Sequence, residues 1–338
     1  MQDLTPGPIP LVRAAGSHRE VGEQIGRATV KAVRRFAAAP FDADLVERYR
    51  AVTFEHLPWV VEELEGVAET AGVEPLAVFA ASIEELEGAA APTGCSDLVV
   101  TGERSADRHL LVAHNNDLYA EDEEDLAAIE WRVEGEPTIF TLGNGPWISV
   151  GWNEAGLSVT GNELTPNDER VGIPRLLQVR DVLTRRTLEE ALEAIVHPAR
   201  ASSYNWVLAH ASGEALNVEG SATAAGETPP RDGVFVHANH YEHAEMLRFE
   251  GRDRVDDSAT RSCRAAELLA AYEAPVTLEW LREALCDHAN APESLCRHAD
   301  EDNVKTVFWC VADVTTGEIT YGRGNPCNST AQTYRFER

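Results

Sequence analysis

The first ninety residues carry apolar positions at a helical period. Apolar side chains recur three or four residues apart at Val21, Ile25, Ala28, Ala32 and Phe36. This spacing lays one apolar stripe along a helix, which a capping-box pattern at Ser17 and Glu20 begins and Pro40 helps to end. Similar periodicity predicts helices over residues 43–56, 58–71 and 76–88. The sequence therefore predicts an N-terminal helical segment.

After residue 94 the pattern changes to short β-rich runs separated by turn residues. The first of these are DLVVTG, HLLVAHN, AIEWRV, TIFTLG, WISVGW and LSVTGN, which favour an antiparallel meander. A helix beginning near Thr187, a hairpin from NWVLAHA and ALNVEG, the strand GVFVHANH, helices at 260–273 and 278–289, and a closing hairpin follow. Helices, strands, helices and strands in this order are typical of a layered α+β sandwich.

Charge excludes some partners. The 57 acidic residues outnumber 29 basic ones, and only Lys31 and Lys305 of the latter are lysines. A net charge of −28 disfavours nucleic acid and anionic membranes as partners. A carboxylate surplus of this size repels itself at low ionic strength, so the composition predicts a protein adapted to high salt. An acidic protein from a GC-rich mesophile that prefers Arg to Lys is the alternative.

The sequence also predicts a cytoplasmic location. The N-terminal MQDLTPGPIPLVRAAG lacks the apolar core of a signal peptide, and no run approaches the length of a membrane span. Six cysteines in 338 residues do not resemble a disulfide framework. In a reducing compartment we expect free thiols.

Cys95 directly follows Gly94 at the start of the first β-rich run. A thiol attacks carbonyls as thiolate, and its ordinary pKa of about 8.5 leaves little thiolate at neutral pH. Cleavage of the Gly94–Cys95 bond would free an α-amino group with a pKa of about 7.7–8.0 beside the sulfur. Glycine suits the cleavage because it tolerates a strained backbone. An inert buried thiol is the alternative.

Several segments strengthen the first interpretation because they occur in a defined order over residues 16–328. They are GSHREVGEQIG, GCSD, VAHNNDLY, GWNEAGLSVTGNEL, GIPRLLQVRDVL, YNWVLAHASGEALNVEGS, HANHY, LCDHANAPESLCRHAD and GRGNPCN. Together they resemble the acyl-coenzyme A:6-aminopenicillanic acid acyltransferase family of N-terminal-nucleophile hydrolases, which is related more distantly to bile-salt hydrolases and penicillin V acylases. The resemblance implies a four-layer αββα fold, an inactive precursor, self-cleavage before Cys95, and amide hydrolysis or acyl transfer.

The resemblance also implies roles for single residues. Cys95 matches the nucleophile, Asp117 the acid close to the new amino terminus, and Asn239 the amide that donates to the oxyanion. Three further residues match oxyanion or substrate contacts: Asn162, Asn205 and Arg297. At Asn116 the family more often has a bulky aromatic residue, which leaves the shape of the pocket open.

The sequence thus predicts an α+β, four-layer Ntn-hydrolase sandwich with an N-terminal helical segment, cut into residues 1–94 and 95–338. We expect the fragments to stay associated as one compact domain, because the apolar helix faces of the first must be covered. The expected substrate is a small N-acyl or N-aminoacyl compound, with hydrolysis favoured, no cofactor, and an acyl-CoA or an amine acceptor left open. The alternatives are a binding protein of the same fold without the chemistry, and a precursor that is processed only after a salt or pH trigger.

Other chemistries find weaker support in the sequence. Histidines at 237, 240 and 243, and the pairs Cys286-x-His288 and Cys296-x-His298, suggest zinc. Structural zinc sites prefer Cys-x₂₋₄-Cys with a defined His arm, so the sequence predicts no metal site. A papain-type cysteine signature and a glycine-rich phosphate loop are both absent from the sequence.

Overall fold

The computed structural model describes residues 6–86, 94–253, 255–299 and 301–336. The strands in these ranges are β1 (Leu11–Gly16), β2 (Gly94–Val100), β3 (Leu111–Tyr119), β4 (Leu126–Val133), β5 (Ile139–Asn144), β6 (Trp147–Asn153), β7 (Leu157–Asn162), β8 (Asn205–His210), β9 (Ala215–Gly220), β10 (Ala225–Thr228), β11 (Val234–His237), β12 (Val304–Asp313), β13 (Glu318–Arg323) and β14 (Ala331–Arg335). The α-helices are α1 (His18–Ala28), α2 (Val30–Phe36), α3 (Ala43–His56), α4 (Pro58–Ala71), α5 (Pro75–Ala80), α6 (Arg175–Val182), α7 (Leu188–Ile195), α8 (Asp256–Ala271) and α9 (Leu278–Leu285). None of these helices combines the length and apolarity needed to cross a bilayer.

The strands form two sheets. The large sheet has eight strands in the order β1-β4-β5-β6-β7-β8-β9-β10, and the small sheet has six in the order β11-β2-β3-β12-β13-β14. Neighbours are antiparallel except β1, which runs parallel to β4. The strands after residue 94 therefore form two separate sets rather than the single meander predicted from sequence. The chain makes β2 and β3 in the small sheet, crosses to the large one, and returns at β11.

The two sheets pack face to face between layers of helices. Phe140 and Trp152 of the large sheet meet Phe308 and Tyr321 of the small sheet in one buried cluster. The opposite face of the large sheet carries α1 to α7, and the opposite face of the small sheet carries α8 and α9. Side chains alternate between the faces of a strand, so each sheet supplies both an inner and an outer core. The predicted four-layer αββα arrangement is confirmed.

The segment before Gly94 packs closely on itself and on the large sheet. An added Cβ at Gly22 of α1 would lie 2.0 Å from the Glu63 carbonyl oxygen, and one at Gly66 of α4 would lie 2.4 Å from that of Arg19. The two helices therefore approach each other at distances that only glycine permits. The same helices contribute to the core over the large sheet, to which β1 also adds a strand.

The helical predictions hold for most elements, with a difference in the first. The predicted single helix from Ser17 is two helices that meet at Thr29, whose φ of −114° and ψ of 25° depart from helical values. The hydroxyl of Thr29 donates to the Ile25 carbonyl oxygen at 2.8 Å. Residues 43–56 and 58–71 form α3 and α4 as predicted. The helix predicted over 76–88 ends at Ala80, with a 3₁₀ turn at Glu84–Leu86, and its last two residues lie outside the described ranges.

Candidate active site

Strand pairing sets the positions of the residues around Cys95. On one side of β2, Gly94 pairs with Asp117 and Cys95 with Asn116 of β3. On the other side β11 pairs with β2 and places His237 opposite Asp97. Cys95 is buried, with 7% of its surface exposed. The two neighbouring strands thus bring a side chain 144 positions away within reach of Cys95.

That side chain is Asn239, whose amide spans the nitrogen and the sulfur of Cys95. Its Oδ1 accepts the backbone N–H of Cys95 at 2.8 Å, and its Nδ2 donates to Cys95 Sγ at 3.3 Å. Nδ2 also donates to the Glu163 carbonyl oxygen at 3.2 Å, while the backbone N–H of Asn239 donates to Ser258 Oγ at 2.6 Å. These contacts fix the amide with its donor group beside the sulfur.

Arg261 of α8 also contacts Cys95, and this residue was not predicted from the sequence. This fully buried guanidinium donates to the Cys95 carbonyl oxygen at 2.6 Å, to Ser96 Oγ at 3.0 Å and to Asn239 Oδ1 at 2.9 Å. Arginine on an amphipathic helix usually faces solvent, so its residue type gives no signal. Its position does, because Arg261 lies four and eight residues before the buried Ala265 and Leu269 and therefore shares their face.

The structure supplies a steric reason for glycine before the cysteine. A Cβ on Gly94 would lie 2.8 Å from Nη2 of Arg261 and 3.2 Å from Oδ1 of Asn239. A larger residue would displace the groups that hold Cys95. Close approach therefore accounts for Gly94 independently of the backbone strain expected from sequence.

Asp117 lies beside the Gly94–Cys95 bond and is completely buried. Its Oδ1 accepts the Thr306 hydroxyl at 2.7 Å, and its Oδ2 has no hydrogen-bond partner among the described residues. Burial raises the pKa of Asp117, with Arg261, Thr306 and Arg297 acting in the opposite direction. A buried carboxylate oxygen without a hydrogen-bond partner raises the free energy of the folded state. An amine or ammonium group next to this oxygen would donate the missing hydrogen bond.

Arg297 lies on the Asp117 side of the site. Its backbone N–H donates to Thr306 Oγ1 at 3.0 Å, and its carbonyl oxygen accepts the Thr306 N–H at 2.8 Å. Its positive charge lowers the pKa of Asp117. The structure thus brings Arg297 into the site through Asp117 and Thr306.

Asn162 and Asn205 belong to a buried network on the other side of Cys95. Asn162 Nδ2 donates to Asp97 Oδ2 at 2.8 Å, and Asn162 Oδ1 accepts Asn205 Nδ2 at 3.0 Å. His237 Nδ1 lies 2.9 Å from the same Asn162 oxygen. Asn162 also hydrogen-bonds Cys95 and acts to lower the pKa of its thiol. Both predicted asparagines therefore lie at the site.

Asp97 anchors this network, a role that the sequence did not indicate. It is completely buried and accepts Thr160 Oγ1 at 2.5 Å, with His114 Nδ1 at 3.1 Å. Burial acts to lower the pKa of His114, but the charge and hydrogen bond of Asp97 outweigh it, and the pKa is raised. The D of GCSD was visible in the sequence, but its partners come from strands that only the fold brings together.

The environment of Cys95 in the uncut chain keeps its thiol protonated. Burial raises the pKa of Cys95 to about 11, and the charge of Asp97 acts in the same direction, against hydrogen bonds from Asn239 and Asn162. At pH 7 a thiol with this pKa is ionised in about one molecule in 10⁴. Cys95 therefore needs a base to react as a nucleophile.

Cys95 opens onto a cavity of about 100 Å³, which is small beside the roughly 300–1,000 Å³ of sites for drug-sized ligands. Its apolar wall is formed by Leu118, Ile148, Val159, Leu176, Val179 and Trp206. Asn116, Asn205 and Asn239 also line it. A larger open depression of about 770 Å³ beside β11 does not include Cys95. Of these two cavities, the small one is lined by Cys95.

The opposite wall of the cavity is acidic. Glu84 and Glu163 share the buried Arg175, at 3.0 and 2.9 Å, and the Tyr204 hydroxyl donates to Glu84. Burial raises the pKa of Glu84, against the lowering effect of Arg175. Glu85 also acts on Arg175, and Arg252 lies 4.0 Å from Glu163, so three carboxyl groups face two guanidinium groups and this wall attracts positive charge when they are ionised.

Comparison with known proteins gives a family and several structural likenesses. A sequence profile described as acyl-coenzyme A:6-aminopenicillanic acid acyl-transferase matches residues 103–328, or 226 of the 338 residues. This range contains Asp117, Asn162, Asn205, Asn239 and Arg297, whereas Cys95 precedes it. A search of curated proteins found no matching relative.

Three solved structures resemble this one at low identity, each over 72% of this chain. A penicillin V acylase from Agrobacterium tumefaciens has 14% identity, 86% of its own chain covered and a TM-score of 0.48. A variant of the conjugated bile acid hydrolase from Clostridium perfringens has 13% identity, 97% coverage and a TM-score of 0.47. An N-acylethanolamine-hydrolyzing acid amidase ortholog from Caenorhabditis elegans has 15% identity, 100% coverage and a TM-score of 0.46.

Proposed function

Since this chain belongs to the acyl-coenzyme A:6-aminopenicillanic acid acyl-transferase family, we propose that it is a self-processing amide hydrolase whose nucleophile is Cys95. It is made as a precursor, cuts its own Gly94–Cys95 bond, and then cleaves the amide bond of a small N-acyl or N-aminoacyl compound. The observation that carries the proposal is the amide of Asn239, which contacts both the nitrogen and the sulfur of Cys95.

Self-cleavage proceeds through a thioester. Cys95 Sγ attacks the Gly94 carbonyl carbon, a C–S bond forms, the C–N bond to Cys95 breaks, and the thiol proton ends on the freed nitrogen. Water then hydrolyses the thioester, leaving a carboxylate on Gly94 and restoring the thiol. Asn239 and Arg261 hold the nitrogen and the carbonyl of Cys95, which both lie on the C-terminal side of the bond that breaks. Residues 1–94 and 95–338 remain together through the shared core over the large sheet.

The freed α-amino group is the base that Cys95 lacks in the precursor. With an ordinary pKa of about 7.7–8.0, it accepts the thiol proton near neutral pH. Asp117 pairs with Gly94 across the two strands and its Oδ2 has no hydrogen-bond partner among the described residues, so we expect this oxygen to orient the ammonium form of the new amino group. One residue then carries both nucleophile and base.

Amide cleavage uses the same groups. The thiolate attacks the substrate carbonyl, Asn239 Nδ2 donates to the tetrahedral oxyanion, and the α-ammonium protonates the departing amine. Water hydrolyses the thioester that remains on Cys95, again with the α-amine as base. The small cavity favours water as acceptor because transfer needs room for a second substrate. These steps use side chains and the new amino terminus, with no cofactor.

The acidic wall favours a substrate that carries a free amine. Glu84, Glu85 and Glu163 together exceed the charge of Arg175 and Arg252 by one when all three are ionised. An N-aminoacyl compound places its ammonium a short distance from the scissile carbonyl, where this wall would attract it. We therefore expect short aminoacyl amides to be cleaved with higher kcat/KM than acyl amides of the same length.

Intact mass under denaturing conditions tests the proposal. The wild-type chain should give two components, and N-terminal sequencing of the larger should begin Cys-Ser-Asp. Cys95→Ala should give one uncut chain without activity, whereas Cys263→Ser, at an exposed thiol, should be processed normally. Under native conditions the two fragments should elute together.

An active wild-type protein that remains one chain would overturn the mechanism. An uncut and inactive chain under all salt and pH conditions would favour a binding protein of the same fold. Processing that begins only at molar KCl or at a shifted pH would identify a triggered precursor.

A further inference from the structure

Four potential metal ligands converge on one side of the molecule, away from the Cys95 cavity. They are His288, Cys296, His298 and Cys327, and their ligand atoms all lie within 4.8 Å of one another. The first three belong to the segment between α9 and β12, and Cys327 belongs to the turn between β13 and β14. The fold therefore joins residues from two separate parts of the chain.

Four of the six distances between the ligand atoms are close to those of a tetrahedral site. Zinc bonds of about 2.3 Å to sulfur and about 2.0–2.1 Å to nitrogen place tetrahedral ligands about 3.8 Å apart for two sulfurs, about 3.6 Å for sulfur and nitrogen, and about 3.3 Å for two nitrogens. The two cysteine sulfurs are 3.6 Å apart and the two histidine Nε2 atoms 3.0 Å apart. His298 Nε2 lies 3.5 Å from Cys327 Sγ and 3.8 Å from Cys296 Sγ.

A neighbouring amide supports one of the sulfur ligands. Asn325 Nδ2 lies 3.6 Å from Cys296 Sγ and donates to the Arg297 carbonyl oxygen at 2.6 Å. N–H donors around a thiolate are typical of the outer shell that orients metal ligands.

We propose that His288, Cys296, His298 and Cys327 bind one Zn²⁺ in a Cys₂His₂ site. Two thiolates and two neutral imidazoles neutralise the ion and fill its tetrahedral shell, which leaves no open position and makes the site structural. This assignment reverses the prediction of no metal site. That prediction considered Cys286 with its neighbours, whereas the fourth ligand is Cys327, 29 residues beyond His298.

The site would stabilise the segment that holds Asp117. Arg297 lies between the ligands Cys296 and His298, and its backbone makes two hydrogen bonds to Thr306. Thr306 in turn donates to Asp117 Oδ1. A metal that fixes residues 296–298 therefore fixes the register of the group beside the proposed new amino terminus, without contacting substrate.

Metal analysis of the purified chain tests the site. The protein is refolded with one equivalent of Zn²⁺ and passed over a desalting column. It should retain about one zinc per chain, as measured by inductively coupled plasma mass spectrometry. Cys296→Ser and Cys327→Ser should each lose most of this zinc. Cys286→Ser is the matched control, because this thiol lies in the same region but outside the cluster, and it should retain the metal.

Cobalt gives a second readout that does not depend on activity. Co²⁺ in place of zinc should show the intense visible bands of tetrahedral coordination and sulfur-to-cobalt charge transfer, and both should weaken in Cys327→Ser. Less than about 0.2 zinc per chain after refolding would overturn the proposal. So would a Cys296–Cys327 disulfide, visible as a loss of two hydrogens in the nonreduced mass of protein handled without oxidant. Because Cys95→Ala should still bind zinc, failure of the catalytic proposal and failure of this one are distinguishable.

Discussion

At the scale of single residues, the site depends on how Asn239 contacts Cys95. Nδ2 is the donor nearest the sulfur, at 3.3 Å, and an oxyanion formed on a substrate attacked there would fall within its reach. Loss of one such donor costs about 10²–10³ in kcat, or about 2.7–4 kcal/mol. We expect a loss of this size in Asn239→Ala, measured per mole of chain that begins at Cys95.

Asn167→Ala provides the control for this variant. Asn167 is an exposed asparagine whose side chain donates to the Arg248 carbonyl oxygen, so its removal should leave kcat within about twofold. A loss below tenfold in Asn239→Ala, with processing intact, would place the oxyanion donor elsewhere.

The position of Asp117 leads to a prediction about the pH dependence of kcat/KM. Asp117→Asn keeps the size of the side chain and its contact with Thr306 but removes the charge beside the new amino group. A carboxylate stabilises the ammonium form and raises the pKa of the amine, so removing it lowers that pKa. The free-base form then persists to lower pH. We expect the acidic limb of the kcat/KM profile to move to lower pH in Asp117→Asn.

The experiment is a pH profile on processed protein of both forms, with thermal melts to confirm folding at each pH. Thr315→Ala, at a hydroxyl that accepts the Leu110 N–H far from the amine, should leave the limb where it is. An unchanged limb would mean that the charge of Asp117 does not act on the amine, and a shift to higher pH would contradict the expected direction.

At the scale of elements, sequence periodicity predicts helices well because each helix buries one stripe. The bounds of α3 and α4 follow the apolar pattern, whereas the break at Thr29 does not, because the stripe continues through it into the buried Ala32 and Val33. Strand β1 was missed because LVRAAG shows no alternation. The sequence pattern also did not predict which strands share a sheet. Strands β2 to β6 have similar apolar patterns, and yet they belong to two different sheets.

The candidate site shows the same division. Cys95, Asp117 and Asn239 could be proposed because local motifs carry them, and the structure places all three together. Arg261 and Asp97 contact partners from other elements, so their roles follow only from the fold, although helical spacing already places Arg261 on the buried face of α8. Of the four proposed metal ligands, His288, Cys296 and His298 were visible as a pattern in the sequence, whereas Cys327 was missed because it is distant in sequence from the others.

The close crossing of α1 and α4 leads to a prediction about the stability of the fold. A methyl group on Gly66 would lie 2.4 Å from the Arg19 carbonyl oxygen and 2.9 Å from the Glu23 nitrogen, both backbone atoms. The helices must move apart, and overpacking of this kind costs about 1–3 kcal/mol. We expect Gly66→Ala to lower the urea midpoint of the uncut Cys95→Ala chain, which unfolds as one molecule.

Gly7→Ala in the same background is the control, because a Cβ there has no atom within 4 Å. Its free energy of unfolding should remain within about 0.5 kcal/mol of that of the parent, as for ordinary surface changes. Equal midpoints for Gly66→Ala and Gly7→Ala would mean that the two helices can separate without cost.

At the scale of the whole molecule, charge decides how stability depends on salt. The net charge of −28 includes exposed pairs such as Lys31 with Glu124, which salt weakens. Because acidic residues outnumber basic ones about two to one, repulsion among unpaired carboxylates exceeds these attractions. Raising KCl from physiological strength to about 1 M shortens the screening length from about 8 Å to about 3 Å. Screening should therefore favour the folded state.

We expect the thermal midpoint of the Cys95→Ala chain to rise from about 0.1 M to about 2 M KCl, as measured by circular dichroism. A variant with Glu62, Glu189 and Glu193 changed to Gln removes three exposed charges, and it should gain less from salt because less repulsion remains to be screened. Sucrose at equal osmolality should raise both midpoints alike, since exclusion from the surface acts without regard to charge. If KCl leaves the midpoint of the Cys95→Ala chain unchanged, or raises the midpoints of both chains equally, the acidic composition reflects residue preference rather than adaptation to salt.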